Sequence, residues 1–421
     1  MGLRGRDLRT ALVNSEFVVT AGIERIVLLE TLMLRQRDIK ADCYAVVIDE
    51  ERCYPELINQ VRPKPILPWR KKPILGSTGK PLFRSISHLA AVAFYRFNPA
   101  RLAEYDLLQA HYQPSPWLCY FAHRRYGIPY TYYAQGVFRE LYPRPFDAIT
   151  VPERRAMRFV LKNFRNLTNL DYEAVTNASL LIANSRHVAG QMAHIYGVNK
   201  VEVLYPGVDV GLFRPIASTE ASIVASKYGI PLPFIIMTSQ HVGYKRIDWL
   251  IEIMQQILKE VPLLSVVIVG RHNSYCTPGL MGLAEKLGIM NRVIFLDGVE
   301  DRELPALYSL ADAYVFTPPD EDFGMAPVEA MCCGTPVVAW NAAGPRETVV
   351  DGKYGFLAKA YDFQDFASKV VRLATDKELN RKLSVNALEV RKKFSLEAHA
   401  LSLIRMISSI VGNPQPREPL S

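Results

Sequence analysis

Short apolar runs, each followed by a stretch of helical periodicity, recur along most of the chain, and this alternation limits the fold more than any other feature. An unbroken apolar run of about four to eight residues suits a strand covered on both faces, as in a parallel sheet flanked by helices. The first run is Thr10–Asn14, and a helical pattern begins near Ile23 with Ile26, Leu29, Leu32 and Met33 on one side. Cys43–Ile48, Tyr105–Ala110, Pro129–Tyr133, Leu180–Ala183 and Val201–Leu204 continue the series. A second series runs through Phe234–Thr238, Leu264–Gly270, Val293–Leu296, Ala313–Thr317 and Pro336–Trp340. Helical patterns at Ile247–Lys259, Leu304–Leu310 and Ala326–Met331 separate its members. Such alternation predicts doubly wound α/β sheets, whose ligands sit at the carboxyl ends of the strands.

Two series in 421 residues call for two domains rather than one core. The polar, Pro-containing stretch that follows Tyr205–Asp209 and runs to about Pro233 is the expected linker. The resulting division is 1–213 for an acceptor-side domain and 214–395 for a nucleotide-sugar domain, with 396–421 as a helix crossing back and a tail. Hydrophobic residues at 49% and charged residues at 22% exclude a disordered chain. Lys and Arg number 50 against 42 Asp and Glu, and the surplus of +8 suits an anionic substrate or an anionic membrane surface without implying nucleic acid. None of the six cysteines falls in a CxxC pair, so neither a zinc site nor a disulfide framework is indicated, and a reducing compartment fits. The polar start lacks the apolar core of a signal peptide, and the apolar stretches fall short of the ~20 residues of a membrane-spanning helix. The expectation is a cytoplasmic protein, soluble or lying on the cytoplasmic face of a membrane.

The most informative segment runs from Thr317 to Ala339. A strand ends near Thr317, a loop carries Asp320, Glu321 and Asp322, Phe323-Gly324-Met325 turns into a helix, and Gly334 ends that helix. Backbone N–H groups at a helix start can donate to hydroxyls or phosphate oxygens, and a carboxylate such as Glu329 can accept from a vicinal diol. Read without further context, the segment is also compatible with an acidic surface loop before an ordinary helix.

This cassette resembles the signature of the retaining glycosyltransferases of family 4: Glu321, seven residues, Glu329, with Phe-Gly between and Glu-Ala-Met following. The resemblance implies the GT-B fold, two Rossmann-like domains facing each other across a cleft. It implies that Glu329 binds the donor ribose, while Glu321 and the backbone of Phe323, Gly324 and Met325 hold the transferred sugar. Other landmarks of the family follow in order. Gly22 lies in a loop similar to the family's Gly-Gly-x-Glu-Arg, where backbone amides approach a diphosphate, although a plain turn glycine reads equally well. Lys245 matches the lysine that neutralises the donor diphosphate. Gly270-Arg271 and Gly298-Val299 match loops that frame the base, and Asp351–Phe356 matches a structural turn.

Two positions depart from the family pattern. Gln240 stands where an arginine is usual, with Arg246 nearby as a substitute charge, and Gln135 stands where a histidine reaches the sugar or its phosphate. These departures leave room for a slow enzyme or for a non-enzymatic sugar-nucleotide binder. A related epimerase lacks support in the cassette, and a phosphorylase would need a cofactor-binding lysine that the sequence does not identify. A nicotinamide dehydrogenase is less supported still, since no GxGxxG follows the first strand.

The resemblance further implies transfer with retention, without a bound metal or prosthetic group. Asp320 and Asp322 have Asp-x-Asp spacing but lie inside the cassette. GDP-mannose is the favoured donor, because the cassette and the Phe138–Tyr142 segment look like the mannosyltransferase branch; UDP-hexoses follow. Arg139 is a candidate contact for an acceptor phosphate, or a structural arginine. Two basic, apolar-interleaved stretches, Pro68–Leu75 with Lys80, Phe83 and Arg84, and Arg154–Arg165, suit an anionic membrane surface or are solvated faces. The expected acceptor is a glycan or a lipid-linked glycan.

Overall fold

Apolar and aromatic residues fill the inner strands, whose two faces are both covered, and the computed structural model, which describes residues 8–20, 22–67, 81–139, 141–146 and 165–411, shows how. The described residues fall into two compact units: 8–143, 165–207 and 397–411 lie in the first, and 144–146 and 208–396 in the second.

The first unit carries strands β1 (Arg9–Phe17), β2 (Lys40–Ile48), β3 (Lys64–Pro65), β4 (Leu107–Ala110), β5 (Tyr130–Ala134), β6 (Leu180–Ala183) and β7 (Glu202–Val203), in the order β3-β2-β1-β4-β5-β6-β7. All neighbours are parallel. Successive residues of a strand point to opposite faces. Val13, Tyr44, Ala110 and Tyr132 therefore pack in one core, and Leu12, Cys43, Leu107 and Tyr133 in the other. The second core also takes Leu403 and Ile407 from the helix Leu396–Val411, so the first unit is completed by a distant part of the sequence.

The second unit carries β8 (Phe234–Thr238), β9 (Ser265–Val269), β10 (Val293–Leu296), β11 (Ala313–Phe316), β12 (Val337–Trp340) and β13 (Gly355–Ala358), all parallel, in the order β10-β9-β8-β11-β12-β13. The helix Ile247–Glu260 lays Leu250, Ile251, Met254 and Ile257 against Ile235, Met237, Val266 and Ile268.

Two local differences from the sequence reading have simple causes. The Pro-containing stretch holds a helix, Ser218–Lys227, which seats Ala221 and Ala225 in the interior. The turn at Asp351–Phe356 leads directly into β13, whose four residues begin with glycine and give almost no alternation to read. Gly355 is needed there because a Cβ would lie 2.0 Å from the carbonyl oxygen of Val337 on β12.

Candidate active site

The sequence-derived residues of the second unit gather on the loops that follow β8, β9, β10 and β11, at the carboxyl edge of the sheet. Lys245 ends a single 3-10 turn, Gly243–Lys245, and Arg246 then adopts a left-handed conformation (φ 51°) before the helix Ile247–Glu260 begins. From that turn the Lys245 Nζ donates to Glu321 Oε2 at 2.5 Å, and the two side chains are 18% and 20% exposed. The turn is fixed to β11 by Thr317, whose hydroxyl donates to the Arg246 carbonyl at 3.0 Å. Thr317 is fixed in turn by Trp340, whose indole N–H donates to its carbonyl at 2.9 Å.

The acidic loop is held on its far side by Gly344, whose N–H donates to the Glu321 carbonyl at 2.9 Å. A side chain at position 344 is excluded, because a Cβ would come 2.5 Å from the Phe323 Cα. Phe323 is buried against Phe394, and Gly324 takes φ 85° to open the helix Met325–Cys332, leaving the first backbone N–H groups of that helix without intrahelical acceptors. Glu329 lies in its second turn, half-buried, and its charge adds to the burial that raises the hydroxyls of Tyr308 and Tyr314. Those two hydroxyls meet at Thr238 Oγ1, 2.8 and 3.1 Å away, at the end of β8.

The remaining donor-side residues are arranged around Gly270. A Cβ there would sit 1.8 Å from the Ser239 carbonyl oxygen, so only glycine lets the β8 and β9 loops approach. Gln240, Arg271 and Val299 border this point; Gln240 and Arg271 are exposed and Val299 is half-buried. Arg246 chelates Asp248 at 3.0 and 2.6 Å and lies 4.0 Å over the Trp249 ring.

In the first unit, Gly22 is the exposed first residue of the helix Gly22–Arg35. Gln135 follows β5 and is buried, and Asn184 donates to its carbonyl at 2.9 Å. Arg139 is half-buried in the turn after Phe138, which packs edge-on against Trp117 and Tyr112. Beneath that turn Asp171 accepts from Trp117 Nε1 and the Tyr196 hydroxyl, both at 2.7 Å, and burial raises its pKa against those hydrogen bonds.

A profile described as Glycosyltransferase Family 4 matches residues 20–212, and one described as Glycosyl transferases group 1 matches residues 226–390. The D-inositol 3-phosphate glycosyltransferase of Actinosynnema mirum is 31% identical over 313 residues, which is 71% of this chain and 71% of that protein. The chain belongs to the family 4, group 1 glycosyltransferases. The enzyme of the same name from Corynebacterium efficiens is 27% identical over 72% of this chain and 71% of its own length. Among solved structures, Anabaena HepE in complex with UDP superposes with a TM-score of 0.74 at 23% identity, covering 96% of this chain and all of HepE. Sucrose-phosphate synthase from Thermosynechococcus elongatus gives 0.72 at 18%, covering 96% of this chain and 99% of its own. The glycosyltransferase therefore has the GT-B fold of two parallel-sheet Rossmann-like domains and transfers a sugar from a nucleotide-sugar donor.

Several residues carry no sequence signal. Arg144, Glu30 and His399 are buried charged or titratable groups with partners 176 or more residues away, 369 for the Glu30–His399 pair. His241 is also buried; Thr277 Oγ1 lies 3.0 Å from its Nδ1, and burial with the neighbouring His272 depresses its pKa to about 4. The two basic stretches, 68–75 with Lys80 and 154–164, lie outside the described residues, as do the side chains of Phe83, Arg84 and Arg165. No described helix is long and apolar enough to cross a membrane.

Proposed function

We propose that this glycosyltransferase moves a hexosyl group with retention of configuration and without a metal ion, from a nucleoside diphosphate hexose to a hydroxyl acceptor. The observation that carries the reading is the Lys245–Glu321 pair, set on adjacent loops beside the N-terminus of the Met325–Cys332 helix. An ammonium group at this edge supplies positive charge where a diphosphate leaving group develops negative charge. The helix N-terminus adds backbone donors to the same side. Glu329 accepts from the ribose diol, and Glu321 accepts from hydroxyls of the hexose; the acceptor attacks the face from which the diphosphate departs, and a phosphate oxygen takes its proton.

GDP-mannose remains the donor that the cassette residues favour. A UDP-hexose is the second reading, supported by the structural likeness to HepE, which was solved with UDP-glucose. For the acceptor, the relatives' names support a phosphorylated cyclitol beside the glycan or lipid-linked glycan suggested by the basic stretches. Arg139 and the turn from Phe138 are the proposed acceptor side, with Gln135 donating toward the sugar.

The test is a donor screen with GDP-mannose, UDP-glucose, UDP-galactose, UDP-N-acetylglucosamine and ADP-glucose in the presence of chelator, with inositol 3-phosphate among the acceptors. Turnover of one donor with the anomeric configuration kept supports the reading. Inverted product, or turnover only after a divalent ion is restored, removes the mechanism.

A further inference from the structure

Three consecutive acids, Asp320, Glu321 and Asp322, share one loop, yet only the middle one meets Lys245. The other two are taken by Arg144. Its Nη2 donates to Asp322 Oδ1, its Nη1 donates to the Asp320 carbonyl at 3.1 Å, and the same nitrogen stands 3.4 Å from Asp320 Oδ1. The Arg144 side chain is only 6% exposed. Two residues on, Phe146 packs edge-on against Trp249 and Tyr361, with ring centroids 5.9 and 5.5 Å apart, and this anchors the segment from which Arg144 reaches.

We infer that Arg144 is a positioning residue for the reaction: by gripping the acids on both sides of Glu321, it leaves Glu321 alone to face Lys245. The inference rests on the proposed role of Glu321 at the donor. A planar guanidinium can hold a carboxylate and a carbonyl at once, which the point charge of a lysine cannot. Without it, the guanidinium no longer offsets the repulsion among the three carboxylates, and the loop that holds Glu321 to Lys245 shifts. The Gly344 N–H fixes the Glu321 backbone, but it fixes neither neighbouring side chain.

The experiment uses the full chain and compares Arg144→Met, Arg144→Lys and Glu321→Gln. It records kcat and KM for donor turnover, and the affinity of UDP and GDP alone by calorimetry. Arg144→Met should lower kcat by about 100-fold, the scale of a small misplacement of a reacting group. KM and diphosphate affinity should stay within about twofold, because Lys245 is retained. Adding Asp320→Asn and Asp322→Asn to Arg144→Met should restore part of kcat by removing the stranded charges. Full kcat in Arg144→Met, with Glu321→Gln inactive, overturns the positioning role alone. A loss of diphosphate affinity equal to the loss of kcat also overturns it, since Arg144 would then be a ligand-binding residue. Full turnover in Glu321→Gln removes the reading of Glu321, and this inference with it. If Arg144→Met does not fold, Arg144→Lys is read in its place: the same split with a smaller loss supports the role, and wild-type kcat ends it.

Discussion

Glu321 in the second unit and Glu30 in the first are both carboxylates held close to a basic side chain, at 2.5 Å from Lys245 and 2.8 Å from His399. Their settings differ. The Glu321 pair sits on loops beyond the strands and keeps about a fifth of each side chain exposed. The Glu30 pair is sealed, with side-chain exposures of 0% and 1%, and a second imidazole, His111, stands 3.4 Å from the other carboxylate oxygen. His399 Nδ1 faces the Tyr205 carbonyl at 2.7 Å, which can only accept, so that nitrogen carries a hydrogen. The Nε2–Glu30 contact then holds one proton, and the pair as a whole is neutral whichever atom bears it. Burial lowers the pKa of His111 and keeps it uncharged at neutral pH. A close acid–base pair is thus no mark of an active site by itself. Access to ligand, and a place at the carboxyl edge of a parallel sheet, separate the pair that can meet a substrate from the pair that secures a helix.

This contrast can be broken most directly in the buried pair. His399→Leu leaves Glu30 sealed without its strongest partner and should cost about 3–5 kcal/mol in urea unfolding. Glu30→Leu combined with His399→Leu should cost less than His399→Leu alone, because no lone charge is left inside. A double variant as unstable as the single one would mean that packing, not charge, holds the helix.

Glu321→Gln is the next largest test and should give the opposite profile. Turnover falls by about 100-fold or more, the scale for removing one group that steadies the transition state. Unfolding free energy changes by about 1 kcal/mol or less, as is usual for a pair open to solvent. Equal losses of stability and activity in this variant would erase the distinction.

The smallest effects concern pH, and again one group lies in each unit. Glu24, buried with an unpartnered Oε2 in the first turn of its helix, is raised by desolvation to about 7 from 4.5. The folded state therefore favours the protonated form, and its contribution is complete below pH 4.5 and lost as pH rises through about 7. His241 is depressed by burial to about 4 from 6.5, so its contribution is present above pH 6.5 and lost as pH falls through about 4. Glu24→Gln should flatten the loss of melting temperature as pH rises from 4.5 through about 7, and His241→Asn the loss as pH falls from 6.5 through about 4. An unchanged slope in either variant removes that group from the pH response.

The two regions were also unequally legible in the sequence. Strands such as Leu180–Ala183, Phe234–Thr238 and Val293–Leu296 could be read to the residue, because each writes itself as a local apolar run, even at the sheet edge where Val293–Leu296 is only partly buried. The Glu321–Glu329 cassette was readable because its glycine, helix start and acids are contiguous. Arg144 and the Glu30–His399 pair were not, since their meaning depends on partners 178 and 369 residues away, and nothing local distinguishes a buried Glu from a solvated one. Arg246 is a local case: its guanidinium chelates Asp248 and lies over Trp249, two and three positions on.

The return of residues 397–411 to the first unit also sets a timetable for biosynthesis. A ribosome releases the first seven strands long before it makes Leu403 and Ile407, so that half waits with an apolar stripe uncovered and Glu30 lacking His399. The second unit takes Arg144–Thr150, made earlier, and the unbroken stretch from Val208 to Leu396, so all of it is translated before residues 397–411 and it can close first, reversing the usual order in which N-terminal domains fold first.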